Sequence, residues 1–223
     1  MRCEVKILIS SDDWGKLQQR IPPDLAEKKR DVWFLETPEQ SLKQHEVLLR
    51  VRVSRKKGVV ESTTKWRRWV PPYDKVLENW SSIKGFKAEV DATDDASVPA
   101  WSITRDKLKA DDFELVKIDP AKLARIFSTK QLLLIRAAWP GLALKKLKCW
   151  GPIESTRWQL EDGYFIERWT IQEKSVIEIS RRGDEVKSTL KELRDWLKAV
   201  GINWQPIDGG KTAWALDQLI PRP

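Results

Sequence analysis

The stretch Glu46-Val47-Leu48-Leu49-Arg50-Val51-Arg52-Val53-Ser54-Arg55 decides the fold class. Successive side chains of an extended chain point to opposite faces, so Val47, Leu49, Val51 and Val53 share one side while Arg50 and Arg52 share the other. Lys56-Lys57-Gly58 follows, and the same alternation resumes over 59–68, where Lys65 and Arg67 are the charged partners. A three-residue connection ending on glycine between two such runs predicts an antiparallel hairpin. Working outward, Glu4 and Lys6 alternate with Cys3, Val5, Ile7 and Ile9, while Lys87, Glu89 and Asp91 alternate with Ala88, Val90 and Ala92. Strands with one apolar and one charged face recur along the chain.

The remaining elements follow from local signals. Strands are predicted at 3–9, 31–36, 85–92, 153–160, 164–171 and 175–181, with Asp162-Gly163 turning between the fourth and fifth of these. Ser10 or Ser11 can cap a short helix stopped by Pro22-Pro23, Asp119-Pro120 opens a helical turn at 121–127, and Ser128 caps a helix through Ala138. Val186, Leu190, Leu193, Leu197 and Val200 form one stripe at helical spacing, which predicts a helix at 185–200 capped by Asp184 and closed by Gly201. A short element at 212–219 follows. Pro71-Pro72 reads as a break, and 94–112 reads as irregular or weakly helical. The class is α+β. With no repeat, low-complexity tract or compositional shift, residues 1–223 read as one domain.

Composition narrows the function. The chain has 223 residues, 41 Lys+Arg against 33 Asp+Glu, and a net charge of +8, which favours an anionic partner. Its two cysteines and single histidine cannot build a Cys/His zinc site, and nucleophilic triad chemistry would rest on His45 alone. No apolar run reaches the length of a membrane helix, and Glu4 and Lys6 interrupt the opening apolar stretch, so a cytoplasmic location and no membrane partner are expected. The thirteen tryptophans fit packing better than base stacking, since Trp33, Trp169, Trp196 and Trp214 lie in apolar-patterned segments. Lys28-Lys29-Arg30, Arg55-Lys56-Lys57 and Lys145-Lys146 fall in expected turns and read as solvated charge, so a nucleic-acid partner is not expected. Oligomeric state is not encoded in these patterns.

Alternation leaves two arrangements open. The strands can form a half-buried sheet whose charged face meets water, or they can close into a barrel whose apolar faces turn outward under helices while charged faces line a cavity. A lumen of the second kind would combine carboxylates suited to a divalent cation with Lys and Arg suited to phosphate oxygens.

The ordered set of motifs resembles the CYTH, or triphosphate tunnel metalloenzyme, superfamily. Glu4-Val5-Lys6, Trp33-Phe34-Leu35-Glu36-Thr37-Pro38, Leu48-Leu49-Arg50-Val51-Arg52 and Thr64-Lys65 are similar to its E-x-E-x-K, Y-F-D-T-P, L-R-x-R and T-x-K patterns. Lys87-Ala88-Glu89-Val90-Asp91, Gly151-Pro152-Ile153 ahead of Arg157, Glu167-Arg168-Trp169, Ile177-Glu178-Ile179-Ser180 and Lys211-Thr212 continue the likeness in order. The resemblance implies an eight-stranded antiparallel barrel with helices outside. It implies phosphate contacts from Lys6, Arg50, Arg52, Lys65, Lys87, Arg157 and Lys211, and metal ligation of Mg2+ or Mn2+ by Glu4, Glu89, Asp91, Glu167 and Glu178. Glu4, Lys6 and Glu178 would be the catalytic residues. The implied activity is metal-dependent hydrolysis of a triphosphate compound or polyphosphate, with a non-catalytic polyanion-binding module or a nucleotide cyclase as the alternatives. Two positions depart from the pattern: Arg2 stands in place of the first glutamate, and Ser180 in place of the last strand's second acid.

Overall fold

Cys3–Ser10 forms the first strand, β1, and its odd-numbered residues are the ones that meet the helices. Cys3, Val5, Ile7 and Ile9 share a core with Ile177, Ile179, Leu193 and Leu197, which removes the apolar stripe of the expected 185–200 helix from water. The structure, a computed structural model, describes residues 2–67, 80–94, 96–204 and 210–221. The Pro71-Pro72 break lies outside these residues.

Eight further strands follow: β2 Lys28–Glu36, β3 Val47–Ser54, β4 Val60–Arg67, β5 Phe86–Ala92, β6 Ser97–Leu108, β7 Lys148–Gln159, β8 Tyr164–Ile171 and β9 Lys174–Gly183. Among the described residues the α-helices are α1 Trp14–Gln18, α2 Ser41–Gln44, α3 Ala110–Ile118, α4 Thr129–Ala138, α5 Val186–Ala199 and α6 Gly210–Leu219. The strands run in the order β1-β5-β6-β4-β3-β2-β7-β8-β9 and close on β1.

The barrel is therefore nine-stranded and mixed, where eight antiparallel strands were expected. The extra strand is β6, from the stretch that read as irregular. Pro99 and the run Arg105-Asp106-Lys107 interrupt its alternation, yet Trp101 and Ile103 are buried at 4% and 2% exposure and pin it in place. The parallel pairing is between β1 and β5, with Glu4 level with Asp91. The Lys28-Lys29-Arg30 cluster opens β2 instead of lying in a turn.

Local chemistry explains the other boundaries. Ser10 accepts from the Asp12 amide and starts the 3-10 turn before α1. Gly58, at φ +62, donates to the Ser54 carbonyl at 2.8 Å and closes the β3–β4 hairpin in the left-handed region that glycine tolerates. Ser128 and Gln131 form a reciprocal capping box at the start of α4. The N-cap of α5 is Glu185, one residue after the expected Asp184, and its side chain makes no cap bond.

The chain folds as two compact units. The first comprises Met1–Arg30, Glu89–Val98 and Ile153–Ala215, and the second comprises Asp31–Ala88, Pro99–Pro152 and Leu216–Pro223. In the first, the apolar faces of β1, β8 and β9 lie under α5, and the opposite face carries Glu4, Lys6, Asp91, Glu167 and Glu178. In the second, Val47, Leu49 and Val51 of β3 share a core with Phe113 and Val116 of α3 and Ile135 of α4. Arg50 and Arg52 alternate with them on the other face.

Candidate functional site

Register builds the charged face of the first unit. Pairing of β1 with β5 sets Glu4 beside Asp91, and the two-residue spacing on β5 puts Glu89 on the same face. Carboxylate oxygens of Glu4, Glu89 and Asp91 all lie within 4.8 Å of one another. Lys6 reaches into this group, with its Nζ 3.0 Å from Glu4 Oε2 and 2.8 Å from Asp91 Oδ1. Burial alone would lower the Lys6 ammonium, and the surrounding charges of Glu4, Asp91 and Glu178 more than reverse that, raising it well above the ordinary lysine range. Three close carboxylates offer hard oxygen donors of the kind that hold a small divalent cation, and the cluster fits such an ion by donor type and spacing.

A second charged group lies on the same face. Glu167 of β8 and Glu178 of β9 are directly opposite in the ladder and buried at 5% and 7% exposure. Like charges in that position repel, and Lys211, from the first turn of α6, stands between them. Its ammonium donates to Glu167 Oε2 and, at 2.8 Å, to Glu178 Oε1, while lying 4.7 Å from the centroid of the Trp169 ring. Glu167 Oε1 accepts from the Ser155 hydroxyl at 2.7 Å and from the Trp169 indole at 3.0 Å. Glu167 is thereby held by three donors, and Lys211 is bound to the two acids expected at the metal.

Arg157 and Arg182 border this face. Arg157 of β7 is level with Glu167, and its guanidinium carbon lies 4.2 Å from the centroid of the Phe165 ring. Arg182 of β9 is level with Glu4 and approaches its carboxylate at 3.6 Å. Ser180, which is 4% exposed, is the register partner of Lys6. Arg2 is exposed, and its carbonyl accepts from the Val90 amide at 3.1 Å, the bond that sets Cys3 beside Val90 in the parallel pairing.

In the second unit, Arg50 is level with Thr63, and Arg52 faces Glu61 with a 3.2 Å ion pair. Lys65 is buried at 8% exposure, two residues along β4 from Thr63, whose hydroxyl lies 3.2 Å from that of Thr104. Lys87 is exposed on β5. The structure thus brings together Glu4, Lys6, Glu89 and Asp91, and separately Glu167, Glu178 and Lys211. Sequence reasoning overlooked Ser155, Phe165 and Arg182, and it read Trp169 as a packing residue. The period-two run Glu178, Ser180, Arg182 is the signal that carried Arg182.

Thiol and imidazole chemistry find no support in the geometry. Burial pushes the Cys149 thiol up to about 12 despite the Lys117 charge nearby, and Cys3 is buried. His45 stacks on Trp139 at 4.3 Å between ring centroids, with its Nδ1 2.8 Å from the Ser41 carbonyl oxygen.

No family model matches the chain, and no curated protein matches it. Solved structures do. HpAC1 from Hippeastrum, a protein proposed as an adenylyl cyclase and described as having a dominant triphosphatase activity, superposes with a TM-score of 0.69 at 14% identity, over 99% of this chain and 98% of that one. The chain shares the fold of that protein over nearly its whole length. A proposed adenylate cyclase from Bacillus halodurans shares this fold at a TM-score of 0.64 and 17% identity, covering 96% of this chain and 97% of its own. The PH1819 protein from Pyrococcus horikoshii follows at 0.51 and 16%, covering 90% and 92%. Among the described residues no helix is long and apolar enough to cross a membrane.

Proposed function

We propose that this protein binds a triphosphate compound or polyphosphate and hydrolyses it with the help of Mg2+ or Mn2+. The observation that carries the reading is the group formed by Glu4, Lys6, Glu89 and Asp91, in which three carboxylates lie within 4.8 Å of one another and two of them contact an ammonium, on the face turned away from α5. The triphosphatase activity named for the Hippeastrum protein supports the choice of substrate. A bound divalent cation would supply charge neutralisation across phosphate oxygens. Glu4, Glu89 and Asp91 would hold it. Lys6 would contact a phosphate oxygen, and Arg157 would bind and orient further oxygens through charge-assisted hydrogen bonds. Glu178 and Glu167 would keep Lys211 in place, so in this reading those two acids serve position and Glu4, Glu89 and Asp91 serve the cation.

A second reading, binding without turnover, is favoured by Ser180. A buried hydroxyl stands level with Lys6 where the resembled pattern has an acid, and Arg2 adds positive charge where that pattern has another. Incubation with tripolyphosphate, thiamine triphosphate and ATP, each with Mg2+ or Mn2+, followed by product identification, separates the readings. Orthophosphate release is expected. Binding without products would favour the second reading, pyrophosphate with a cyclic product would reassign the protein as a cyclase, and neither binding nor turnover would overturn both.

A further inference from the structure

Phe165 stands on the charged face of the first unit, outside its apolar core, and carries two guanidinium groups. The Arg157 carbon lies 4.2 Å and the Arg182 carbon 5.5 Å from its ring centroid. Register explains the approach. Arg157 is level with Glu167, two residues from Phe165 on β8, and Arg182 lies two residues from Ser180, which is level with Phe165. Each arginine therefore reaches the ring along a diagonal from a flanking strand, a distance that long side chains span.

Arg157 is half-buried, and among the described residues the Phe165 ring is its partner, with no ion pair or hydrogen bond to it. A guanidinium has five N–H donors at its edge, and a ring against its face satisfies none of them. A cation partly withdrawn from water in this state is prepared for an anion. Arg182 approaches the Glu4 carboxylate at 3.6 Å, so the second cation borders the acid group that surrounds Lys6.

We propose that Phe165 is a positioning residue that holds Arg157 and Arg182 together as a subsite for one phosphate group of a polyphosphate chain, beside the Glu4 end of the acid cluster. This rests on the triphosphate-binding reading given above and adds Phe165 and Arg182 to it. Contact with the negative face of the ring offsets the repulsion between the two cations and fixes the plane of the Arg157 fork, leaving its N–H edge for phosphate oxygens.

Calorimetric titration with tripolyphosphate tests the proposal. Two ring-less variants, Phe165→Leu and Phe165→Ile, should each weaken binding on the order of tenfold, the scale of a partly desolvated cation–π contact, without lowering the melting temperature. Phe165→Tyr, which keeps the ring, should restore binding to near wild type. In an Arg157→Ala, Arg182→Ala background, Phe165→Leu should have no further effect, an outcome that a merely structural role would not give. Wild-type affinity in both ring-less variants, or an undiminished loss in the arginine-free background, overturns the positioning role while the functional reading stands. Absence of tripolyphosphate binding by the wild-type protein overturns the reading on which it rests.

Discussion

Lys211 neutralises two buried carboxylates at once, and its worth lies in what its removal would leave behind. Glu167 and Glu178 are level with each other on adjacent strands, and Lys211 donates to both. Breaking a buried charge pair from one side strands its partner and typically costs about 3–5 kcal/mol. Lys211→Met should lower unfolding free energy by roughly that amount in urea denaturation, and adding Glu178→Gln should recover part of the loss, because fewer unpaired charges remain buried. A change below about 1 kcal/mol in Lys211→Met would show that solvent already shares these charges. The sequence marked all three residues as functional but gave them roles at a ligand. Lys211 arrives from a helix 33 positions after Glu178, and no pattern along the chain records that the two meet.

Elements whose causes are local were readable in advance, and those with distant causes were not. The β3–β4 hairpin follows from its alternation and Gly58, and α4 follows from Ser128 and Gln131, each signal lying within a few residues of its effect. In contrast, α2 has four residues and a positional N-cap, Gln40, that makes no side-chain bond. Its cap is Glu36, at the end of β2. The buried Glu36 carboxylate accepts from the amides of Thr37 and Leu42 at Oε1 and of Lys43 at Oε2, all at 2.8 Å. Burial raises this carboxyl above its usual range, and the three amides pull it back toward the charged form. Glu36→Gln exchanges one acceptor oxygen for a donor facing the Lys43 amide, so it should cost about 1–3 kcal/mol in chemical denaturation. Native-state hydrogen exchange should place the loss at Leu42 and Lys43, and an unchanged exchange rate there would refute the capping role. A cap six residues upstream of Leu42 escapes the usual short-range signature. Strand β6 escaped for a different reason: its burial comes from Trp101 and Ile103 meeting partners far away in sequence, while its own residues alternate poorly.

At the scale of the molecule, alternation left a half-buried sheet and a barrel both open, and the structure closes the strands into a barrel with apolar faces beneath helices and Lys65, Asp91, Glu167 and Glu178 buried. Strand number and direction were less legible, because alternation looks the same whichever way a neighbour runs. The closure of β9 onto β1 has a consequence for synthesis. All eight residues of β1 pair with β9, which occupies Lys174–Gly183, and three also pair with β5. A chain ending at residue 172 would therefore retain the sequence of β1 without its long partner. Such a fragment should show no cooperative thermal transition and rapid proteolysis within residues 3–10, and a protected, cooperatively melting fragment would contradict this dependence. On a ribosome adding about 5–20 residues per second, β1 emerges roughly 10–35 s before β9 is complete. Throughout that interval Val5, Ile7 and Ile9 are a nascent strand with an open edge, the kind of segment that holdase chaperones shield and that crowded translation leaves exposed to aggregation.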